Sequence, residues 1–433
     1  MNIRNFIDIR SLLLENKTVK QTIFKNTFWL GLTGIVQKGV SFLVIVWIAR
    51  HFGPVIYGQW AFALSFTALF AFLPNFGFGL LAIRELARDK VKTAKYLDNI
   101  IVMKFVLGLI ALGLIAVIIQ FFGKDPEIVK LVYFLGIYTV LNTFADFFQS
   151  IFRANQKMQY EALCQGIRSL GLLGLVGLFM LNKDSILSIS YAYIGAVLVG
   201  ILFSLLFIWR YFSQFFLEID FKICNEILKK AWPFAIGVIF TTIYCRSNII
   251  LLSVITKNDK DVGIFSIAYG FAFLTFLIPQ YITISIFPYF SKLFIENKQS
   301  IVESFKKLFK IFFSLGLFIS FFTFLLAPSI IKIIYGEQYY NSIIILRFLS
   351  IAIFFGFIKQ VASMSLCSVN LQKKVVKIQC IATLVNVGTN IMFIPIIGVY
   401  GAVIAVILTE IVLSFGYYYF FYQGFYKKWF KVV

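Results

Sequence analysis

The chain has 433 residues, of which 60% are hydrophobic, 18% aromatic and only 14% charged, with a mean hydropathy of +0.90. A soluble domain carries roughly 25% charged residues, so this chain lacks the polar surface needed to face water all round. Five scattered cysteines with no CxxC pair, and His51 as the single histidine, argue against a disulfide framework, a metal site and histidine-based catalysis.

In chain order, the polar and basic residues 1–23 come first, and Ile3–Leu14 within them reads as a cytoplasmic amphipathic segment or a plain solvated connector. Apolar runs of about twenty residues follow at 24–49, 57–82, 100–122, 128–151, 160–181 and 186–209. A second set lies at 231–255, 262–290, 308–331, 340–367, 376–396 and 399–422. Each is long enough to cross a hydrocarbon core about 30 Å thick, and in that solvent a backbone satisfies itself only as a helix or a closed barrel. The fold class is therefore an all-α integral membrane protein of about twelve transmembrane helices. The first run ends in Ala49-Arg50-His51 with no small-residue cleavage site, so it reads as a retained span and not a signal peptide. The organisation expected is a first lobe over 24–210, an interfacial linker over 211–230, a second lobe over 231–423 and a cytoplasmic tail over 424–433.

Lysine and arginine outnumber aspartate and glutamate by 40 to 19, a balance that could point to nucleic acid. Their positions point elsewhere. With the N-terminus placed inside, 27 of the 40 fall in the N-terminal segment, alternate loops and tail, and only seven fall in the opposite loops. That is the positive-inside pattern, with both termini cytoplasmic, and it removes nucleic acid as a partner.

The chain also repeats. Gly58, Trp60, Ala63, Phe66 and Pro74 recur as Gly263, Phe265, Ala268, Phe271 and Pro279, all at an offset of 205 residues, and Asn155 has an echo in Asn370. Two six-helix lobes related by a pseudo-twofold axis along the membrane normal are a recurring transporter plan. Pro74 and Pro279 interrupt matching helices, either as fixed kinks or as hinges on which one lobe rocks.

Six bases fall within spans: Lys38, Lys104, Arg168, Arg246, Arg347 and Lys359; Asp146 and Glu410 are the acids at depth. A charge at mid-membrane costs about 2.5–3.5 kcal/mol on insertion scales, so such groups pair, snorkel or face a wet cavity. Lys104 and Lys359 lie near the cytoplasmic ends of their spans, where snorkelling is expected. Lys38, Arg168, Arg246 and Arg347 lie deeper, and are the expected substrate-binding set of a cationic lumen. Helical stripes support an interior face: Gly31, Gly34, Lys38 and Ser41; Thr139, Asn142, Asp146, Gln149 and Arg153; Thr242, Arg246 and Ser253; Gln379, Thr383, Asn386 and Asn390. For Asn and Thr alone, hydrogen bonding between helices is the plainer account. Arginine offers a planar fork and lysine a point charge, together suited to an anion such as a pyrophosphate. Asp146 is read either as a structural partner of Arg168 or as a coupling-ion site. Glu410, with no sequence partner in view, is the other candidate for ion coupling.

These residues bring a resemblance with them. Ala49-Arg50-His51-Phe52-Gly53-Pro54, Tyr57-Gly58-Gln59-Trp60-Ala61, Asn75-Phe76-Gly77-Phe78-Gly79 and Ile83-Arg84-Glu85-Leu86-Ala87 follow the first two spans. Asn386, Asn390, Ile394-Pro395-Ile396-Ile397-Gly398-Val399-Tyr400-Gly401-Ala402 and Glu410 mark the last two. In these and in layout the chain resembles the Wzx-type flippases, the polysaccharide transporter branch of the multidrug/oligosaccharidyl-lipid/polysaccharide exporter superfamily. The resemblance implies a MATE-like V-shaped bundle with a solvated cavity, in the bacterial cytoplasmic (inner) membrane. It implies alternating access driven by an H⁺ or Na⁺ gradient, with no cofactor. The substrate would be an undecaprenyl-pyrophosphate-linked O-antigen or capsule repeat unit, moved from the inner to the outer leaflet. Membrane lipids, a polysaccharide polymerase and a chain-length regulator would be its partners. A cation-coupled multidrug exporter of the same superfamily is the alternative, although a cationic lumen suits organic cations poorly. A membrane polymerase or ligase ranks last. The outward loops are short, and no nucleophile–base set, phosphate-binding glycine loop or metal cluster is evident.

Overall fold

The computed structural model describes residues 19–89, 93–182, 185–211, 219–296, 298–369 and 371–423. The amphipathic stretch Ile3–Leu14, the first part of the linker, Asn370 and the tail 424–433 lie outside the described residues.

Every regular element among the described residues is helical. The helices are α1 Val19–Phe70, α2 Phe72–Asn75, α3 Phe78–Arg88, α4 Thr93–Gln120, α5 Pro126–Ala154, α6 Met158–Leu181 and α7 Ile186–Tyr211. They continue as α8 Phe221–Thr256, α9 Asp259–Thr275, α10 Leu277–Glu296, α11 Lys298–Ile330, α12 Ser342–Ser368, α13 Gln372–Ile397 and α14 Val399–Phe421. Among the described residues, eleven helices are long and apolar enough to cross a membrane. The first of these, Phe28–Phe70, has 43 residues, about twice what a ~30 Å core needs at ~1.5 Å per residue. It changes course at Gly53 (φ 76°, ψ 176°), a backbone open to glycine, and Pro54 begins the next stretch with no N–H to leave unsatisfied.

The 205-residue register extends from the sequence to the backbone. Pro74 and Pro279 each lack the N–H that would bond the carbonyl four residues back, and each ring crowds that carbonyl. Regular helix stops there in both places, at Phe70 and at Thr275. The turn residues Ala71 and Phe276 then close on the carbonyls of Ala68 and Phe273, each at 3.2 Å. Beyond the prolines the repeats diverge. Phe76 (φ 36°) and Gly77 (φ 75°) turn left-handed and start α3, whereas α10 runs unbroken from Leu277 to Glu296.

The chain divides into two compact units, one of residues 1–51 and 66–239, the other of 52–65 and 240–433. The first has a core of Phe78, Leu81, Leu97, Ile100, Phe147 and Ile151, from α3, α4 and α5, closed by Ile208 of α7 and Ile227 of α8. In the second, α12 packs against α9, α10, α11 and α14. Buried hydroxyls tie its helices: Ser342 Oγ donates to Ile264 O at 2.8 Å and Ser414 Oγ to Phe355 O at 2.9 Å. The second unit also holds the closest helix crossing in the repeat. A Cβ at Gly58 would lie 1.8 Å from Asp259 O, and one at Gly263 would lie 1.9 Å from Pro54 O. Pro54 and Asp259 are themselves 205 apart, so the contact is reciprocal, and only glycine on both sides permits it.

Candidate functional site

In the first unit the deep polar residues gather on α5 and α6. Asp146 is exposed, and Asn142, one turn earlier, donates to its Oδ2 at 3.2 Å. Arg168 of α6 donates to Asn142 Oδ1 and lies 3.5 Å from the Tyr138 hydroxyl. Arginine and aspartate are therefore linked through an amide rather than by a direct ion pair. The Arg168 stem lies against Gly200 of α7, where a Cβ would sit 3.1 Å from its Cδ. Lys38, exposed on α1, and Lys104 and Arg153 also lie within electrostatic reach of Asp146. Arg168 and Asp146 thus share Asn142, with Lys38 the weakest felt of the bases around Asp146.

The flanks of the same stripe are structural. Thr139 Oγ1 donates to Thr67 Oγ1 at 3.1 Å, Gln149 Nε2 to Gln165 Oε1 at 2.8 Å, and Arg153 forks onto the buried Glu161 at 2.5–3.1 Å. Early in α1, Lys25 is buried and its Nζ donates to Gln156 O at 3.4 Å.

The expectation that Lys104 snorkels is overturned. It is fully buried, its Nζ donates to Pro74 O at 2.6 Å, and it sits 5.4 Å from the centre of the Phe144 ring. The left-handed turn at Phe76 and Gly77 ends α2 and leaves the Pro74 carbonyl without a helical donor, and Lys104 supplies one.

The second unit corrects the readings of Lys359 and Glu410 as well. Lys359 does not snorkel either, and Glu410 does have a partner: Lys359 Nζ lies 2.7 Å from Glu410 Oε1, with the carboxylate wholly buried. Tyr244 donates its hydroxyl to the same oxygen, and Lys359 is held over the rings of Phe276 (5.3 Å) and Tyr244 (5.6 Å). This group borders a cavity of about 350 Å³ bounded by α8, α9, α10, α12, α13 and α14. The eleventh-span stripe divides: Gln379 and Thr383 line the cavity, while Asn386 and Asn390 turn into a buried knot. There Asn386 Nδ2 donates to Asn248 at 3.1 Å and Thr409 at 3.0 Å, and Asn390 Nδ2 to Asn248 at 2.8 Å.

Arg246 is exposed on α8, one residue beyond the cavity-lining Cys245. Arg347 stacks at 5.3 Å over Phe324 of α11, away from the cavity, so it is set against a neighbouring helix. Pro74 and Pro279 sit just after the two helix interruptions. The sequence reading missed Tyr244, Gln280, Gln360 and Ser363 of the cavity wall. The available signal was the trio Lys359, Gln360 and Ser363, all within one turn of an apolar span.

The fold is that of multidrug/oligosaccharidyl-lipid/polysaccharide exporters. A structure of a MATE multidrug transporter of that superfamily, facing inward, superposes with a TM-score of 0.76 over 94% of this chain and 99% of its own, at 16% identity. The lipid II flippase MurJ, in an inward closed conformation, superposes at 0.72 over 90% and 87%, at 18% identity. Residues 23–294 match the model of the family "Polysaccharide biosynthesis protein", and the chain belongs to that family. It is 26% identical over 328 residues to an O-antigen transporter of Shigella dysenteriae, covering 73% of this chain and 78% of that one. It is 22% identical over 411 residues to the capsular polysaccharide biosynthesis protein CapF of Staphylococcus aureus, covering 92% and 98%.

Proposed function

We infer that this multi-pass membrane protein is a flippase, not an enzyme, and that it carries lipid-linked oligosaccharide from the inner to the outer leaflet of the bacterial cytoplasmic membrane. Family membership and the two polysaccharide-export relatives support the class. The observation that carries the chemistry is the chain Arg168–Asn142–Asp146 of the first unit, with exposed Lys38 in electrostatic reach, in which neither base forms a direct ion pair with the acid. Bases held this way remain available to the pyrophosphate of an undecaprenyl-linked repeat unit. Arg246, exposed on α8, is proposed as a weaker contributor, whereas Arg347 is taken up by its stacking on Phe324.

The driving force is proposed to be an ion gradient, with no cofactor. Glu410 suits a proton: protonating it removes the charge that holds Lys359, so one proton can switch the pair between joined and separate states. Asp146 is the second candidate, being accessible and bonded only to an amide. Pro74 and Pro279 are the proposed hinges, because regular helix already stops beside each. Cytoplasmic termini follow from the loop charges. A polymerase and a chain-length regulator acting on the same repeat units are the expected partners.

The test is flipping of a fluorescent undecaprenyl-pyrophosphate oligosaccharide by the purified protein in liposomes, with imposed H⁺ and then Na⁺ gradients. Gradient-dependent flipping, reduced by Lys38→Gln or Arg168→Gln, is expected; no flipping under either gradient sinks the reading. A multidrug exporter is the second reading, and accessible Asp146 is what favours it, since an organic cation needs such a carboxylate. Efflux of a cationic dye that disappears with Asp146→Asn would establish that alternative.

A further inference from the structure

The cavity of the second unit differs in chemistry from the charged cluster of the first, and the difference specifies a ligand. Its volume, about 350 Å³, is near the lower end of the ~300–1,000 Å³ typical of ligand pockets, room for a sugar ring or two and not for a lipid-linked repeat unit. Among the described residues, Lys359 is the one charged side chain that lines it, and that charge is already matched by Glu410 behind it at 2.7 Å. An anion entering the cavity meets a base in use, and an organic cation meets no carboxylate on the wall.

What remains on the wall is neutral. Gln280, Gln360 and Gln379 present amides, Thr241, Ser363 and Thr383 hydroxyls. Gln360 Nε2 donates to Thr283 Oγ1 at 3.2 Å, which fixes the amide plane, and Thr283 in turn is bonded to Pro279 O at 2.9 Å. Between the amides stand the rings of Tyr244, Phe273, Phe276 and Tyr417. Tyr244 is held by Glu410, and Phe273 packs edge-on to Phe276 with centroids 5.4 Å apart, so these faces are fixed before any ligand arrives. Amides offer both donors and acceptors, hydroxyls do the same, and aromatic faces offer apolar area. A pyranose needs all three: hydroxyls around the rim and C–H faces above and below.

We propose that this cavity is a glycan subsite, binding one uncharged sugar residue of the transported oligosaccharide by amide hydrogen bonds and aromatic stacking. The proposal rests on the flippase reading and deepens it, since it separates recognition of the sugar, in the second unit, from recognition of the pyrophosphate, in the first.

Cys245, a free thiol that lines the cavity, provides the readout. Purified full-length protein is treated with a small methanethiosulfonate, and the rate of modification is followed by peptide mass spectrometry. Cys224, outside the cavity, serves as the internal control. The same rate is read independently at Ser363→Cys, on α12. Free N-acetylglucosamine and glucose are expected to slow modification several-fold at one or both positions, and Gln360→Leu to remove that protection. Sodium pyrophosphate and tetraphenylphosphonium are expected to leave the rates unchanged. Protection by either of these equal to that by sugar overturns the proposal, as does no protection by sugar at either position. Flipping of the fluorescent lipid-linked oligosaccharide is measured on the same preparation. Intact flipping without sugar protection rejects the subsite alone; sugar protection without flipping rejects the flippase reading alone.

Discussion

The two units meet the same difficulty, charge within apolar helices, and resolve it in opposite ways. In the second unit Lys359 and Glu410 form a closed pair with the carboxylate wholly buried, capped by the Tyr244 hydroxyl. In the first, Arg168 and Asp146 are joined only through Asn142, Asp146 stays exposed, and Lys104 answers a backbone carbonyl instead of an acid. A closed pair satisfies its own charges and leaves neutral walls around it. An open chain keeps its charges available to something that arrives. The partner, more than the depth or the residue type, decides which of these a buried charge becomes.

Breaking the closed pair should have the largest effect. Glu410→Gln leaves Lys359 charged and unmatched on the cavity wall; breaking a fully buried pair costs about 3–5 kcal/mol, and this half-buried lysine should lose somewhat less. We expect a marked loss of thermal stability in detergent, followed by tryptophan fluorescence. The double substitution Glu410→Gln with Lys359→Met removes both charges and should recover much of that stability while leaving flipping independent of a proton gradient. A double variant that still responds to the gradient would take coupling away from Glu410.

Next in size come the reciprocal glycines. Gly58→Ala and Gly263→Ala each place a methyl within 2 Å of a carbonyl oxygen, and overpacking of this kind costs about 1–3 kcal/mol. Because the contact is reciprocal, the two variants should lose similar stability, and the double should cost less than their sum, as the first shift of the helices makes room for the second. Strongly unequal losses would mean that the register shared by the repeats is not shared energetically. Lys104→Met follows, leaving Pro74 O buried without its donor, at about 1–3 kcal/mol. Its loss should show as earlier melting with flipping retained at low temperature.

Much of this was legible in the residues before the fold was seen. Length and apolarity gave the helices, and the 205-residue offset anticipated the matched interruptions, because proline acts on its own backbone and on the carbonyl four residues back. Asp146 and Arg168 fall at similar depth in successive spans, which makes them candidate neighbours, and helical spacing puts Asn142 on the same stripe as Asp146. Lys359 and Glu410 could not be joined that way. They are 51 residues apart on different helices, and no periodicity within one helix reports which neighbour it faces. Lys104 differs from its expected place for a related reason: its partner is the main-chain carbonyl of Pro74, left open where Phe76 and Gly77 turn left-handed, and a backbone group leaves no mark in a list of side chains. Arg347 has the depth expected of a substrate contact, yet Phe324 on α11 occupies its guanidinium.

The smallest change in stability, and the sharpest comparison with Glu410, is expected at Asp146. Its carboxylate is exposed and accepts one bond from an amide, so Asp146→Asn gives up an interaction of the solvent-accessible kind, worth up to about 1 kcal/mol. Melting should therefore hardly move. Transport should move, because the asparagine leaves Lys38, Arg168 and Arg153 with one less countercharge. If the cluster binds pyrophosphate, the added net positive charge should tighten binding of sodium pyrophosphate and slow release of the lipid-linked substrate. Flipping would then saturate at lower substrate concentration and reach a lower maximum. If Asp146 instead carries the coupling ion, flipping should lose its gradient dependence with pyrophosphate binding unchanged. The two outcomes differ in the half-saturating substrate concentration, measured with and without the gradient, and an unchanged value in both conditions would remove Asp146 from the mechanism.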